Sequence, residues 1–176
     1  MAFTAFSGTS LVLAPAYNIA RAAAQEEPSS QAPAGTGQSG LPLPRFVSMA
    51  ASEAFMRTGP AQTYPRIWIY KRRDLPLKII DEYGNWRRVE DHDGITGWFY
   101  VKLLSGKRTA LVLENDTPML RSPNKPDSLI LTADEGVIGT LLECDTLWCR
   151  MEIDGSRGWV ERRHLFGLLD TETKLP

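Results

Sequence analysis

The feature that most limits what this chain can become is that it repeats itself. The stretch GNWRRVEDHDGITGW runs from Gly84 to Trp98, and TLWCRMEIDGSRGW runs from Thr146 to Trp159. Each reads Trp, one residue, Arg, a hydrophobic residue, Glu, an Asp-Gly turn and then Gly-Trp. With Trp86 laid on Trp148, Arg88 falls on Arg150, Val89 on Met151 and Glu90 on Glu152. After a one-residue gap, Asp93-Gly94 meets Asp154-Gly155, and Gly97-Trp98 meets Gly158-Trp159. Upstream, FMRTGP (Phe55 to Pro60) is similar to MLRSPN (Met119 to Asn124). A unit of about sixty residues used twice, filling Arg45 to Leu168, calls for two small domains of one fold rather than a single large core.

The unit reads as strands. RIWIY (Arg66 to Tyr70) and LKII (Leu77 to Ile80) are rich in β-branched and aromatic residues, which suit a pleated, half-buried surface. Asp-Gly favours positive φ and can close a tight hairpin. Gly97 and Gly158, each just before a Trp, suggest a bulge or a close backbone approach. Pro42, Pro44, Pro60, Pro65 and Pro76 belong in turns or at strand edges, where no ladder N–H is needed. Long amphipathic helical patterns are absent, so an α/β enzyme core is not expected. The fold class is all-β: two tandem small closed or half-closed barrels, residues 45–108 and 109–168, then a short tail at 169–176. A barrel this small has little core. A buried Trp hides about 150–250 Å², at most about 4–6 kcal/mol at ~25 cal/mol/Å². Trp86, Trp98, Trp148 and Trp159 are therefore expected to be structural rather than ligand contacts.

The run FMRTGPAQTYPRIWIY…IIDEYGNWRRVEDHDGITGWFYVKLL resembles a bacterial SH3-like domain. The marks are the Arg-x-Gly-Pro opening, a Tyr-Pro some residues later, the mid-domain Trp, and a Gly-Trp-aromatic close followed by Leu-Leu. The second copy keeps Leu120-Arg121-Ser122-Pro123, Trp148 and Gly158-Trp159-Val160 but lacks the Gly-Pro and Tyr-Pro elements. The resemblance implies a pair of SH3-like barrels in an exported protein. It implies a binding role, toward peptidoglycan or peptides, and not catalysis.

The N-terminus fits export. FTAFSGTSLVLAPAYNIARAAAQEEP is apolar and ends in Ala22-Ala23-Ala24, small residues of the kind a signal peptidase accepts. Residues 1–24 read as a signal peptide, although no Lys or Arg precedes the apolar part; an Ala-rich disordered leader is the alternative. The apolar part is too short for a permanent membrane span. Residues 25–44 are rich in Pro, Gly, Ser and Gln and read as a flexible, disordered linker.

Cys144 and Cys149 bracket DTLW. No other ligands are placed to complete a metal site, and in an exported protein the pair is expected to form a disulfide across a tight hairpin, worth about 2 kcal/mol for so short a loop. Two free buried thiols are the alternative. Aligned on the Trp, Cys144 falls on Glu82 and Cys149 on Arg87. A cross-link in one copy stands where the other has opposite charges, so these positions are expected to face each other in both halves.

No phosphate loop, G-x-S-x-G or H-E-x-x-H occurs, and neither Cys has an evident His partner; the chain is read as not an enzyme and without a cofactor. Glu90, His92 and Asp93 offer ligand chemistry, but they sit at a hairpin tip whose copy reads MEIDG, and no metal is expected. A net charge of −1 excludes a general nucleic-acid binder. That total hides an asymmetry: residues 45–108 hold 12 Lys/Arg, 7 Asp/Glu and ten aromatics, and residues 109–176 hold 7, 12 and three. Opposite fields could hold the barrels together, or the first barrel could present an aromatic, cationic groove. In the second case Tyr64, Trp68, Tyr70 and Tyr100, with the basic tip Lys71-Arg72-Arg73, form the ligand surface. Ile67 and Ile69 would point inward, and Trp68 and Tyr70 outward. The expected protein is a binding or scaffolding component of the periplasm or cell envelope. Its partner is peptidoglycan or an envelope protein. The alternatives are a structural module locked by its own inter-barrel contacts, or an accessory subunit of a cell-wall hydrolase.

Overall fold

The structure, a computed structural model, describes residues 35–172 together with Leu175. The segment read as a signal peptide lies outside the described residues, as do residues 25–34 of the predicted linker. The described chain is built from short strands: β1 (Gly35–Thr36), β2 (Pro42–Leu43), β3 (Arg45–Met49), β4 (Ala54–Arg57), β5 (Arg66–Tyr70), β6 (Pro76–Tyr83), β7 (Trp86–Glu90), β8 (Thr96–Tyr100) and β9 (Leu104–Ser105). The second half continues with β10 (Thr109–Val112), β11 (Thr117–Leu120), β12 (Leu129–Ala133), β13 (Ile138–Cys144), β14 (Trp148–Ile153), β15 (Ser156–Glu161) and β16 (Leu165–Phe166). No helix among the described residues is long and apolar enough to cross a membrane.

Strands β3–β9 form one seven-stranded sheet in the order β5-β4-β8-β7-β6-β3-β9, and β10–β16 form another in the order β12-β11-β15-β14-β13-β10-β16. The two orders are the same when matched strand for strand, which is the duplication expressed in topology. The Asp-Gly expectation holds at its simplest in the second copy. Asp154 (φ 48°) and Gly155 (φ 81°) join Ile153 to its partner Ser156, the two-residue turn whose twist matches the flanking strands. In the first copy the extra residue makes a longer turn, Asp91 to Ile95, closed by the Asp91 amide donating to the Ile95 carbonyl at 3.1 Å.

The glycines before the tryptophans mark a close approach. A Cβ on Gly97 would lie 2.9 Å from the Arg57 carbonyl oxygen and closer still to the Met56 side chain; one on Gly158 would meet Leu120 and Met119 in the same way. This identity aligns Met56 with Met119 and Arg57 with Leu120, so FMRTGP sits one residue off the alignment with MLRSPN that the letters suggest. Gly158→Ala is expected to destabilise the protein by about 1–3 kcal/mol through overpacking, read as a lower denaturant midpoint.

Each barrel has its own apolar cluster. Met49, Met56, Leu77, Ile79, Val89 and Phe99 close the first; Met119, Leu141, Met151, Ile153, Val160 and Leu165 are prominent in the second. No Trp belongs to either cluster; Trp148 is nonetheless buried, and Trp86, Trp98 and Trp159 are half-buried, which corrects the expectation that all the indoles fill the cores. The reason is strand parity. Val89 faces in, so Trp86, three residues away, faces out; Phe99 faces in, so Trp98 faces out.

The barrels meet along β10. Its residues alternate between two interiors: Ala110 and Val112 pack in the second cluster, and Leu111 (1% exposed) packs in the first. Thr109 bridges as well, donating to the Asp74 carbonyl at 2.7 Å and lying 2.7 Å from the Ser48 hydroxyl. Phe46 meets Phe166 edge-on, with centroids 5.1 Å apart. The seam is apolar and hydrogen-bonded. The ion pairs nearest it, Lys107–Asp74 (2.9 Å) and Arg108–Glu172, start from the connecting segment rather than from either sheet.

The described part of the predicted linker is not loose chain. Residues Gly35 to Leu43 form a small hairpin, β1 against β2, bound to the first barrel by polar contacts and by Leu43, which packs against the first cluster. Ser39 donates to Glu82 from its amide (2.6 Å) and its hydroxyl (2.8 Å), and Gly84 donates to the Gln38 side chain (2.8 Å).

Candidate functional site

The expected match between the two copies at the cross-link position is present. Cys144 pairs with Cys149 across β13 and β14 and is disulfide-bonded to it. Glu82 pairs with Arg87 across β6 and β7, with 3.2 Å between Arg87 Nε and Glu82 Oε1. The charged version is not the exposed pair that would contribute little. Glu82 and Arg87 are buried, and Arg45 also donates to Glu82, at 2.5 Å. Burial alone would push the Glu82 carboxyl up. The Ser39 amide, the Arg45 guanidinium and the Ser39 hydroxyl outweigh it and hold the pKa at about 2.

The outward indoles form a repeated strip. In the first barrel the register sets Trp86 beside Tyr100, Arg88 beside Trp98, and Trp98 beside Arg57. The Trp86 and Tyr100 rings lie 5.5 Å apart at a steep angle. In the second barrel the same positions carry Trp148 beside Glu161, Arg150 beside Trp159, and Trp159 beside Leu120. There the strip is half roofed. A cleft of about 500 Å³ is lined by Pro118, Leu120, Leu129, Trp148 and, at its polar side, Asn124 and Glu161. A second hollow of about 280 Å³ shares Asn124, Trp148 and Glu161 and runs on to Arg162 and Arg163. The segment between β11 and β12 supplies Asn124 and Pro126. Sequence reasoning missed this cleft; the signal was again parity, since Met151 and Val160 facing in puts Trp148 and Glu161 together on the outer face of the sheet, where Trp148 is nevertheless covered.

The residues expected at a ligand surface are spread over several environments. Trp68 is 53% and Tyr64 45% exposed. Tyr64 packs on Gly59 and its carbonyl accepts from Arg57 at 2.7 Å. Tyr100 belongs to the outer strip. Tyr70 corrects the expectation: it is buried, its hydroxyl donates to Asp91 at 2.5 Å, and burial together with that bond pushes its pKa up. The facing of β5 is reversed because Tyr70 pairs with buried Ala54 on the core side. Ile67 and Ile69 are exposed instead. Trp68 shares the side of buried Met56, but β5 is the outermost strand, and the indole stays uncovered. Lys71 lies 3.8 Å from exposed Glu53, Arg72 reaches the Gly136 turn of the second barrel, and Arg73 is exposed.

Asp91, His92 and Asp93 lie together at the tip of β7. Both Asp91 oxygens are engaged, one by Tyr70 and the other by the amides of Asp93 and Ile95; the cluster reads as a braced turn.

Two seven-stranded half-closed barrels of one topology, each with an aromatic strip across its outer face, define a tandem SH3-like protein. The chain belongs to the bacterial SH3 domain family, which matches residues 50–106 and again 114–167. Among solved structures, NlpC2 from Trichomonas vaginalis is 11% identical with a TM-score of 0.33, covering 70% of this chain and 48% of that one. An NlpC/P60 family protein from Bacillus cereus is 14% identical with a TM-score of 0.32, covering 69% and 55%. The chain thus spans about half the length of these structures. No curated protein sequence matches it.

Proposed function

We propose that this chain is a non-enzymatic binding or scaffolding protein of the cell envelope whose ligand is peptidoglycan or an envelope peptide. The observation that carries the reading is the Trp-bearing strip present on both barrels, walled into a cleft of about 500 Å³ on the second. Membership of the bacterial SH3 family supports it, because such domains commonly bind cell wall. Apolar walls with a few polar groups at the rim suit an extended peptide or a sugar face. The exposed Tyr64 and Trp68 of the basic first barrel offer a second contact. The rigid seam at β10 favours a scaffolding share in the role, holding the two outer strips in fixed relation, and the same geometry suits an accessory subunit of a wall hydrolase.

Co-sedimentation with purified sacculi at low salt, against a control without sacculi, tests the reading. The protein is expected to pellet with the wall. Leu129→Asp, at the exposed edge of the cleft, is expected to weaken binding about tenfold or more with an unchanged melting temperature. Trp68→Ala reports the contribution of the first barrel. Protein that stays in the supernatant at every wall concentration would count against wall recognition.

A further inference from the structure

Each sheet ends in a strand with one unpaired side, β5 in the first and β12 in the second. Both present apolar side chains. Ile67, Trp68 and Ile69 are 45%, 53% and 43% exposed, and Leu129 is 52% exposed. Natural edges are commonly blunted by charge, proline or bulges. These carry no proline, and their only charge is Arg66 at the first position of β5. Each has a one-residue bulge, at Ile67 and at Ile130, which leaves a short regular ladder from Trp68 to Tyr70 and from Leu131 to Ala133.

Their flanks are opposite in charge. β5 lies between Arg66 and Lys71-Arg72-Arg73, all exposed, although Arg72 reaches the Gly136 turn of its own chain and Lys71 lies 3.8 Å from Glu53; β12 lies between Asp127, two residues after Lys125, and Asp134-Glu135, also exposed. The positions correspond, because Tyr70 pairs with Ala54 as Ala133 pairs with Thr117. The basic run and the acidic run therefore leave equivalent strands in the two barrels.

We infer that the partner of the β5 edge is the β12 edge of a second copy of this chain, giving a head-to-tail assembly. Pairing β5 with β5 would bring Arg66 and Lys71 against their own kind, and pairing β12 with β12 would do the same for Asp127, Asp134 and Glu135; like charges set opposite each other destabilise a ladder. Only the crossed pair is complementary, and it is so in either strand direction, because both strands are charged at both ends. The contact is heterologous: a molecule held through β5 still offers its β12, so the assembly grows unless it closes into a ring. The ladder is short, so the association is weak and salt-sensitive.

Sedimentation velocity on the purified chain from about 1 µM to 1 mM tests this. The average mass is expected to rise with concentration and to fall back in about 1 M salt, where screening acts within about 3 Å. The Arg66→Glu/Lys71→Glu variant and the Asp127→Lys/Asp134→Lys variant, each alone, are expected to associate at least tenfold more weakly. Mixing the two is expected to restore association, since each then offers an edge of the sign the other needs. Wild-type protein that stays monomeric throughout, or single reversals that associate as well as wild type, would overturn the inference.

Discussion

Leu111→Ala is expected to weaken both barrels at once, lowering the stability of the whole protein by about 2–5 kcal/mol. The residue lies on β10, a strand of the second sheet, yet its side chain is 1% exposed within the core of the first barrel. Its neighbours Ala110 and Val112 face the second core. The truncation leaves a cavity in one interior while loosening the strand on which the other depends. A domain of this size is stable by only about 5–15 kcal/mol, so the loss is a large part of the total. Urea unfolding followed by Trp fluorescence is the measurement. A single transition with a lower midpoint and an unchanged slope is expected, since the surface exposed on unfolding stays the same. Two transitions, with only the first barrel shifted, would mean that the seam is a contact between independent domains.

Glu82→Ala is expected to cost about 3–5 kcal/mol, the usual penalty for removing one member of a buried ion pair. It strands Arg87, which is buried, and Arg45, and it removes the anchor of the N-terminal hairpin at Ser39. The same contacts set a pH dependence. The folded carboxyl has a pKa of about 2 against an ordinary value of 4.5. Folding is therefore favoured by this group above pH 4.5, and the contribution is lost as pH falls through that value toward about 2. Denaturation of wild type at pH 7 and pH 3 should show a loss of stability that is clearly smaller in Glu82→Ala. An equal loss in both proteins would place the pH sensitivity elsewhere, with Glu172, held below its usual range by Arg108 against the upward push of its burial, as the next group to test.

Much of the architecture is legible in the letters because duplication supplies an internal control. Glycines before tryptophans and the swap of Cys144/Cys149 for Glu82/Arg87 hold in both copies, and each carries a geometric constraint; the Asp-Gly pair closes a two-residue turn only in the second. The misreadings share one cause, the faces of short strands. Trp86 lies on the face opposite Val89, three residues on, which claims the core. Tyr70 faces in because its partner across the ladder is buried Ala54. A bulge at Ile67 breaks the alternation within β5, and nothing local in RIWIY announces it. The hairpin before β3 was hidden for a different reason: its composition cannot fill a core, but Ser39 and Gln38 hold it through hydrogen bonds to groups about forty-five residues away. The cleft beside Trp148 needs the β11–β12 segment folded over the strip, a tertiary fact that no window of sequence contains.

The claim beneath all of this is that the two halves are one fold used twice, with positions 82 and 87 standing where 144 and 149 stand. The most direct measurement gives the first barrel the cross-link of the second: the double variant Glu82→Cys/Arg87→Cys, oxidised in air, analysed by thiol counting and peptide mapping. The duplication predicts no free thiols and two local bridges, 82–87 and 144–149. Free thiols at the new positions, or bridges between the halves, would contradict it.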